Sequence, residues 1–205
     1  MNKFLISLYL LLSVGFLEAQ NRTDVRIKND VFSVSYNEVL EQPNWVEYNV
    51  RNITKKFDRG SMDFYVPKGV HTSDNNDYRN NVWDKGHMAP AAAFTDTKEN
   101  LKTTFSYLNC SLQFDKLNRG AWRELEAQER IWAKEFGTLK VRVVLEFKDG
   151  YLILPTGGHV PSGYWKHITF PNGRKECFYF PNSVPTKHWS DYEIQCEVRR
   201  EKTLF

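Results

Sequence analysis

No stretch of this 205-residue chain is long and apolar enough to read as a comfortable membrane span. The longest apolar run, Phe4 to Phe16, falls short of the roughly 20 residues that a bilayer asks of a helix. It follows Lys3 and precedes Glu18-Ala19-Gln20, so residues 1–19 read as a cleaved export signal. No Cys follows the run to take a lipid, so no stable membrane association is expected after cleavage. Cysteine is scarce. Cys110, Cys177 and Cys196 occur without any C-x-x-C or H-x-x-x-H spacing, which argues against a zinc site. Two readings of this odd count stay open: a Cys177–Cys196 disulfide with Cys110 as a buried thiol, or three buried thiols. Internal repeats and low-complexity segments are absent. The Gly-rich Thr156-Gly157-Gly158-His159 is too short and badly placed for a phosphate-cradling loop, and reads as a turn with a structural His159. A dominant charge is lacking too. With 28 Lys and Arg against 25 Asp and Glu, the net charge of +3 permits a polyanionic substrate without demanding one.

What remains, residues 20–205, is enough for one domain with a substantial core. Phe32, Val34 and Tyr36 alternate as in a short strand. Gln42-Pro43-Asn44 suggests a turn, followed by a strand from Trp45 to Ile53. Val141 to Phe147 and Tyr151 to Pro155 flank Asp149-Gly150 as a hairpin would, and Tyr164 to Phe170 with Lys175 to Phe180 flank Pro171-Asn172-Gly173 likewise. Between these strand regions, Trp122, Leu125, Trp132 and Phe136 recur at helical steps. The pattern predicts an α+β domain with a central antiparallel sheet and packed helices.

Chemistry concentrates between Trp83 and Glu126. Val70 to Asn81 is polar and aperiodic, a long surface loop that delivers the chain into Asp84-Lys85-Gly86-His87. The small apolar stretch after it puts His87 at the edge between core and cleft. A neutral imidazole there suits a general base that takes a proton from water. Taken alone, a lone His is more often a structural one. Asn118, at the start of the helical pattern, is by default an N-cap. Lys56, Arg59 and Lys55 form a basic loop. It reads either as a solvated cluster or as a phosphate-contacting rim, with Arg59 the residue for backbone contact. Arg119, Arg123, Glu124, Glu129 and Arg130 read as an ordinary solvated helix face.

Three segments in order tip these readings toward function. Asp84-Lys85-Gly86-His87 resembles the D-R-G-H box of the DNA/RNA non-specific endonucleases, and Asn109-Cys110-Ser111-Leu112-Gln113 resembles their N-x-[ST]-P-Q segment. Asn118-Arg119-Gly120-Ala121-Trp122 with Leu125-Glu126 is similar to that family's metal-binding helix, the Glu coming eight residues after the Asn. Lys85 in place of Arg and Leu112 in place of Pro are the departures. The resemblance implies a ββα-metal active site that hydrolyses DNA and RNA with Mg²⁺, or with Mn²⁺ or another divalent cation. It casts His87 as general base, Asn118 as metal ligand, and Lys85 as a charge on the phosphate. Asn109 would orient phosphate or metal-bound water, the alternative being a carboxamide that satisfies only loop backbone. On one continuous α-helix, eight residues give about 12 Å of rise and about 80° of rotation. Glu126 is therefore expected to act on the metal's waters rather than on the ion. Secretion, or release into a periplasm, goes with the signal, and a homodimer is compatible with the sequence. The rival readings are a secreted nucleic-acid-binding module without activity and a disulfide-stapled adhesion domain.

Overall fold

In the computed structural model, residues 24–54 and 56–196 are described, so the expected signal at 1–19, Lys55 of the basic loop and the charged tail beyond Cys196 lie outside the described residues. The main sheet has seven antiparallel strands. Its early members are β1 (Asp24–Lys28), β2 (Phe32–Asn37) and β3 (Gln42–Val50). It continues through β6 (Leu139–Glu146), β7 (Gly163–Thr169), β8 (Lys175–Pro181) and the short β9 (Glu193–Ile194), in the order β1-β2-β3-β6-β7-β8-β9. A second, two-stranded sheet joins β4 (Trp83–His87) to β5 (Cys110–Phe114). Between those two runs the helix α1 (Lys98–Thr104). After β5 come the single turn α2 (Asp115–Leu117), a wide π-type turn (Asn118–Trp122) and the long α3 (Arg123–Phe136).

The alternation anticipated for β2 continues into its neighbours. Val34, Tyr36, Val46, Tyr48, Val141, Val143, Ile168, Phe178 and Phe180 all point into one core, against Trp122, Leu125 and Ala133 of the helical run. Inside that core sits a charge pair. Lys166 Nζ meets Glu129 Oε1 at 2.8 Å with both side chains 0% exposed, and Tyr48 Oη donates to Glu129 Oε2 at 3.2 Å. The ammonium also lies 3.9 Å above the Trp122 ring. Losing one partner of such a pair typically costs about 3–5 kcal/mol, because the other charge is left buried and alone. The pair therefore fixes how Trp122, and the π-type turn that carries it, seat on the sheet. Glu129 is thus not part of a solvated face.

Two expectations are corrected. The turn before β3 lies at 38–41, where Asn37 Oδ1 accepts from the backbone of Val39 and Leu40, and β3 already begins at Gln42. Pro43 is accommodated beside a register shift at Ser35/Tyr36, the kind of bulge at which a strand tolerates proline. Tyr151 to Pro155 forms no hairpin with β6, whose partner is β7. Leu152 and Ile153 are exposed, so that segment has no buried face to register, and it folds back on itself instead, through an isolated Ile153–His159 bridge with Leu154 N donating to Gly158 O and Val160 N to Leu152 O. The β7–β8 hairpin forms as anticipated. Among the described residues, no helix is long and apolar enough to cross a membrane.

Cys177 and Cys196 are joined in a disulfide, while Cys110 is a buried free thiol whose ionisation burial makes harder still. The bridge closes a loop across 19 residues and ties the β9 segment to β8. Replacing both cysteines by Ser should lower unfolding stability by about 3 kcal/mol, the range for a loop of this length. Urea titrations of the two proteins check it. Equal midpoints would mean that β9 is held by packing alone.

Candidate active site

β4 and β5 pair with Asp84 opposite Gln113, Lys85 opposite Leu112, Gly86 opposite Ser111 and His87 opposite Cys110. With the helical run that follows they form a ββα unit. Gly86 is required by this pairing. A Cβ there would stand 2.5 Å from Gln113 Oε1 and 2.6 Å from Gln113 Cβ, so no side chain fits between the strands. A cleft of about 470 Å³ opens above β4, which supplies Trp83, Asp84, Lys85 and His87. Asn118, Arg119, Arg59, Asp63, Phe64 and Tyr78 complete its lining.

His87 is wedged between aromatic rings. Phe64 lies 4.6 Å and Phe105 4.9 Å from its ring centre, and Nε2 is buried without a hydrogen-bond partner from the protein. Burial first, and the nearby Arg59 charge second, push its pKa down to about 3. The imidazole is therefore neutral at and around neutral pH, able to accept a proton and reluctant to keep it.

Asp84 does not reach toward His87. Its carboxylate takes two hydrogen bonds from Arg119, Nε to Oδ2 at 2.7 Å and Nη2 to Oδ1 at 2.6 Å, and a third from Asn118 Nδ2 at 2.9 Å. Burial opposes that charge, but the Arg119 and Asn118 contacts outweigh it and hold the carboxyl below its usual range. Asn118 is in helical conformation with α2 ahead of it, so it is not an N-cap. Its amide nitrogen is committed to Asp84, which fixes the amide orientation and leaves Oδ1 for the cleft. Arg119, read from sequence as solvated surface, is a cleft residue. The physical reason is the wide turn: Gly120, at φ −108° and ψ −117°, breaks helical geometry between Asn118 and α3. That turn also removes the continuous helix on which the Asn118-to-Glu126 rise was reckoned.

Lys85 points into the cleft and ion-pairs with Asp63, Nζ to Oδ1 at 2.9 Å. Arg59 lies over the Phe105 ring at 4.9 Å and donates from Nε to the Met62 carbonyl, which places its charge on the cleft rim near His87. The structure thus brings His87, Lys85, Asn118 and Arg59 around one space. It sets two others apart. Asn109 is 0% exposed, with Nδ2 donating to the Ala89 and Thr104 carbonyls and Oδ1 accepting from Ala89 N. Its carboxamide is consumed by backbone on either side of the site and pins the chain just after His87. Glu126 is absent from the cleft lining. Burial foremost, against the attraction of Lys166 and with repulsion from Glu129, raises its carboxyl to about 7. Asp63, Phe64 and Arg119 went unrecognised in the sequence. Of these only Arg119 carried a signal, its place beside Asn118.

Comparison with known proteins agrees with this geometry. The family model described as DNA/RNA non-specific endonuclease matches residues 11–203. Mitochondrial endonuclease G of Bos taurus is 33% identical over 86 residues, 40% of this chain and 29% of that protein. A protein named nuclease from Nostoc sp. is 28% identical over 148 residues, 69% of this chain and 53% of that one. The chain thus spans between about a third and a half of the length of these curated relatives. A chain of the crystal structure of the EndoG/EndoGI complex superposes with a TM-score of 0.73 at 25% identity, covering 82% of this chain and 79% of that one.

Proposed function

The chain belongs to the DNA/RNA non-specific endonuclease family, and from that premise we propose that it cuts phosphodiester bonds of DNA and RNA with a divalent cation, Mg²⁺ in the first place and Mn²⁺ as a substitute. The observation that carries this reading is the confrontation, across one cleft, of a neutral His87 with the free carbonyl oxygen of Asn118. Among the described residues, no group of three or more His, Cys, Asp or Glu is placed to hold a metal. The donor set is instead one oriented neutral oxygen in a roomy polar cleft. That fits a hard cation which keeps most of its own waters and takes phosphate oxygens, as Mg²⁺ does. Bound beside Asn118, such an ion supplies charge against the negative charge that grows on the phosphoryl oxygens.

The chain's own residues do the rest. His87 accepts the proton of the attacking water. Lys85 and Arg59 offer their charges to the phosphate, and recognition through phosphates explains indifference to base sequence. Asp84 holds Asn118 and Arg119 in place, and Asn109 holds the backbone behind His87. Glu126, outside the cleft lining, would act on a bound metal only through intervening water. Export is part of the same reading, supported by the Cys177–Cys196 bridge, since disulfides persist in oxidising compartments. Light scattering on the purified protein tests the homodimer.

The direct test is incubation of purified protein with supercoiled plasmid and with single-stranded RNA, under Mg²⁺, under Mn²⁺ and with EDTA. Nicked and linear plasmid, degraded RNA and a full block by EDTA are expected. Tight binding without cutting under any divalent ion would replace the enzyme by a binding module. A pH series adds a sharper signature. An ordinary imidazole titrates near about 6.5, whereas His87 is displaced downward, so it gains its inactivating proton only at lower pH. The acid limb of kcat/KM should therefore stay flat through pH 6 and fall only below it. A limb centred between pH 6 and 7 would give the proton transfer to a different group.

A further inference from the structure

Among the cations that line the cleft, Lys85 stands closest to His87 in sequence, and its ammonium is already engaged. Asp63, which also lines the cleft, receives Lys85 Nζ at 2.9 Å. Lys85 is 23% exposed and Asp63 62% exposed, so the pair lies at the cleft surface rather than in the core. Asp63 is also held from behind. Its Oδ1 accepts from Phe64 N at 2.8 Å, and the Phe64 ring packs on His87 at 4.6 Å. The carboxylate is thus anchored at a fixed place, pointing at the cation expected to meet substrate. An anion in a cleft for polyanions is a cost to binding unless it serves a purpose there.

We propose that Asp63 is an internal stand-in for a substrate phosphate, holding Lys85 aimed in the empty cleft and setting how strongly a phosphodiester must compete to displace it. This rests on the nuclease reading. A carboxylate oxygen and a phosphate oxygen make the same charge-assisted contact with an ammonium. Lys85 is therefore preorganised for phosphate, at the expense of affinity. Weak or isolated anions lose the competition, while a chain of phosphates, held also by Arg59, wins it. Asp63 is then a specificity-determining residue that biases the cleft toward polymers.

The experiment is a double-substitution cycle on wild type, Asp63→Asn, Lys85→Met and the doubly substituted protein. Asn keeps the Oδ1 that accepts from Phe64 N, so the turn is preserved. The probe is a short fluorescein-labelled single-stranded oligodeoxynucleotide in EDTA, read by anisotropy, so binding is measured without cutting. Asp63→Asn should tighten binding roughly fivefold to tenfold, the scale of one charge-assisted contact set free. In the Lys85→Met background the same substitution should gain less than about twofold, the residue of a general charge change. Unchanged, weaker or undetectable binding by Asp63→Asn overturns the proposal. So does an equal gain in both backgrounds, because Asp63 would then act through its field alone. Cleavage assays on the four proteins judge the enzyme reading separately: if none cuts under any divalent ion, that reading fails while the binding cycle still decides the role of Asp63.

Discussion

His87→Ala should lower kcat by about 10²–10⁴-fold, the usual contribution of a positioned general base. Nothing else in the cleft replaces it. Among the lining residues, Asp84 is anionic but saturated by Arg119 and Asn118, and Asp63 is paired with Lys85 until substrate displaces it. Substrate binding should survive, because Arg59, Lys85 and Arg119 are untouched. KM therefore moves little, and the loss falls on the chemical step. The substitution also leaves a gap between Phe64 and Phe105 shaped for a flat ring. Added imidazole should restore part of the rate in His87→Ala, with a dependence on pH that follows imidazole's own titration. Full activity at neutral pH without imidazole would remove His87 from the mechanism.

Asn118→Ala carries the next largest effect. It should raise the Mg²⁺ concentration for half-maximal rate by at least about 10–100-fold, the loss seen even when a partner that merely orients a ligand is removed. Asp84→Ala should move the same quantity in the same direction. Without the carboxylate, the Asn118 amide is free to turn its nitrogen toward the cleft. Glu126→Gln should shift it less than Asn118→Ala. Glu126 is outside the cleft lining and its carboxyl is raised to about 7, so part of the population is already uncharged at neutral pH. Metal titrations of rate in the three variants decide. Equal shifts for Asn118 and Glu126 would mean that the wide turn at 118–122 brings both to the ion.

The site was legible from sequence where residue identity and order suffice. His87 and Asn118 stand in short boxes whose spacing survives any detail of folding, and the cleft unites them. Arg119 was missed because a solvated helix face was inferred from α-helical periodicity, and the turn around Gly120 departs from that period. Asp63 was missed because its partner is 22 positions away, on a different element, and nothing local marks the pairing. The fold shows the same division. The β7–β8 hairpin declares itself through a short turn between alternating runs. The β4–β5 sheet does not. Its strands are five residues long, the first is Trp83–His87 with little apolar content, and α1 intervenes before the second. Tyr151 to Pro155 goes the opposite way, since an apolar run after a turn, with no surface to bury it, does not make a strand.

The clasp at Cys177–Cys196 has a mechanical consequence. β9 is two residues long, and its register to β8 is only Cys177 with Ile194 and Phe178 with Glu193. Hydrogen bonds at such a short edge would peel one after another under a pull on the chain just past Cys196. With the bridge closed, the load bypasses them and enters β8 directly, at a strand paired to β7 along its whole length. Yielding then requires β8 to shear from β7, which loads all seven register pairs together rather than in sequence. A single sulfur–sulfur bond thereby converts the weakest edge of the sheet into one that resists tension as a unit, and a reductant would return it to unzipping.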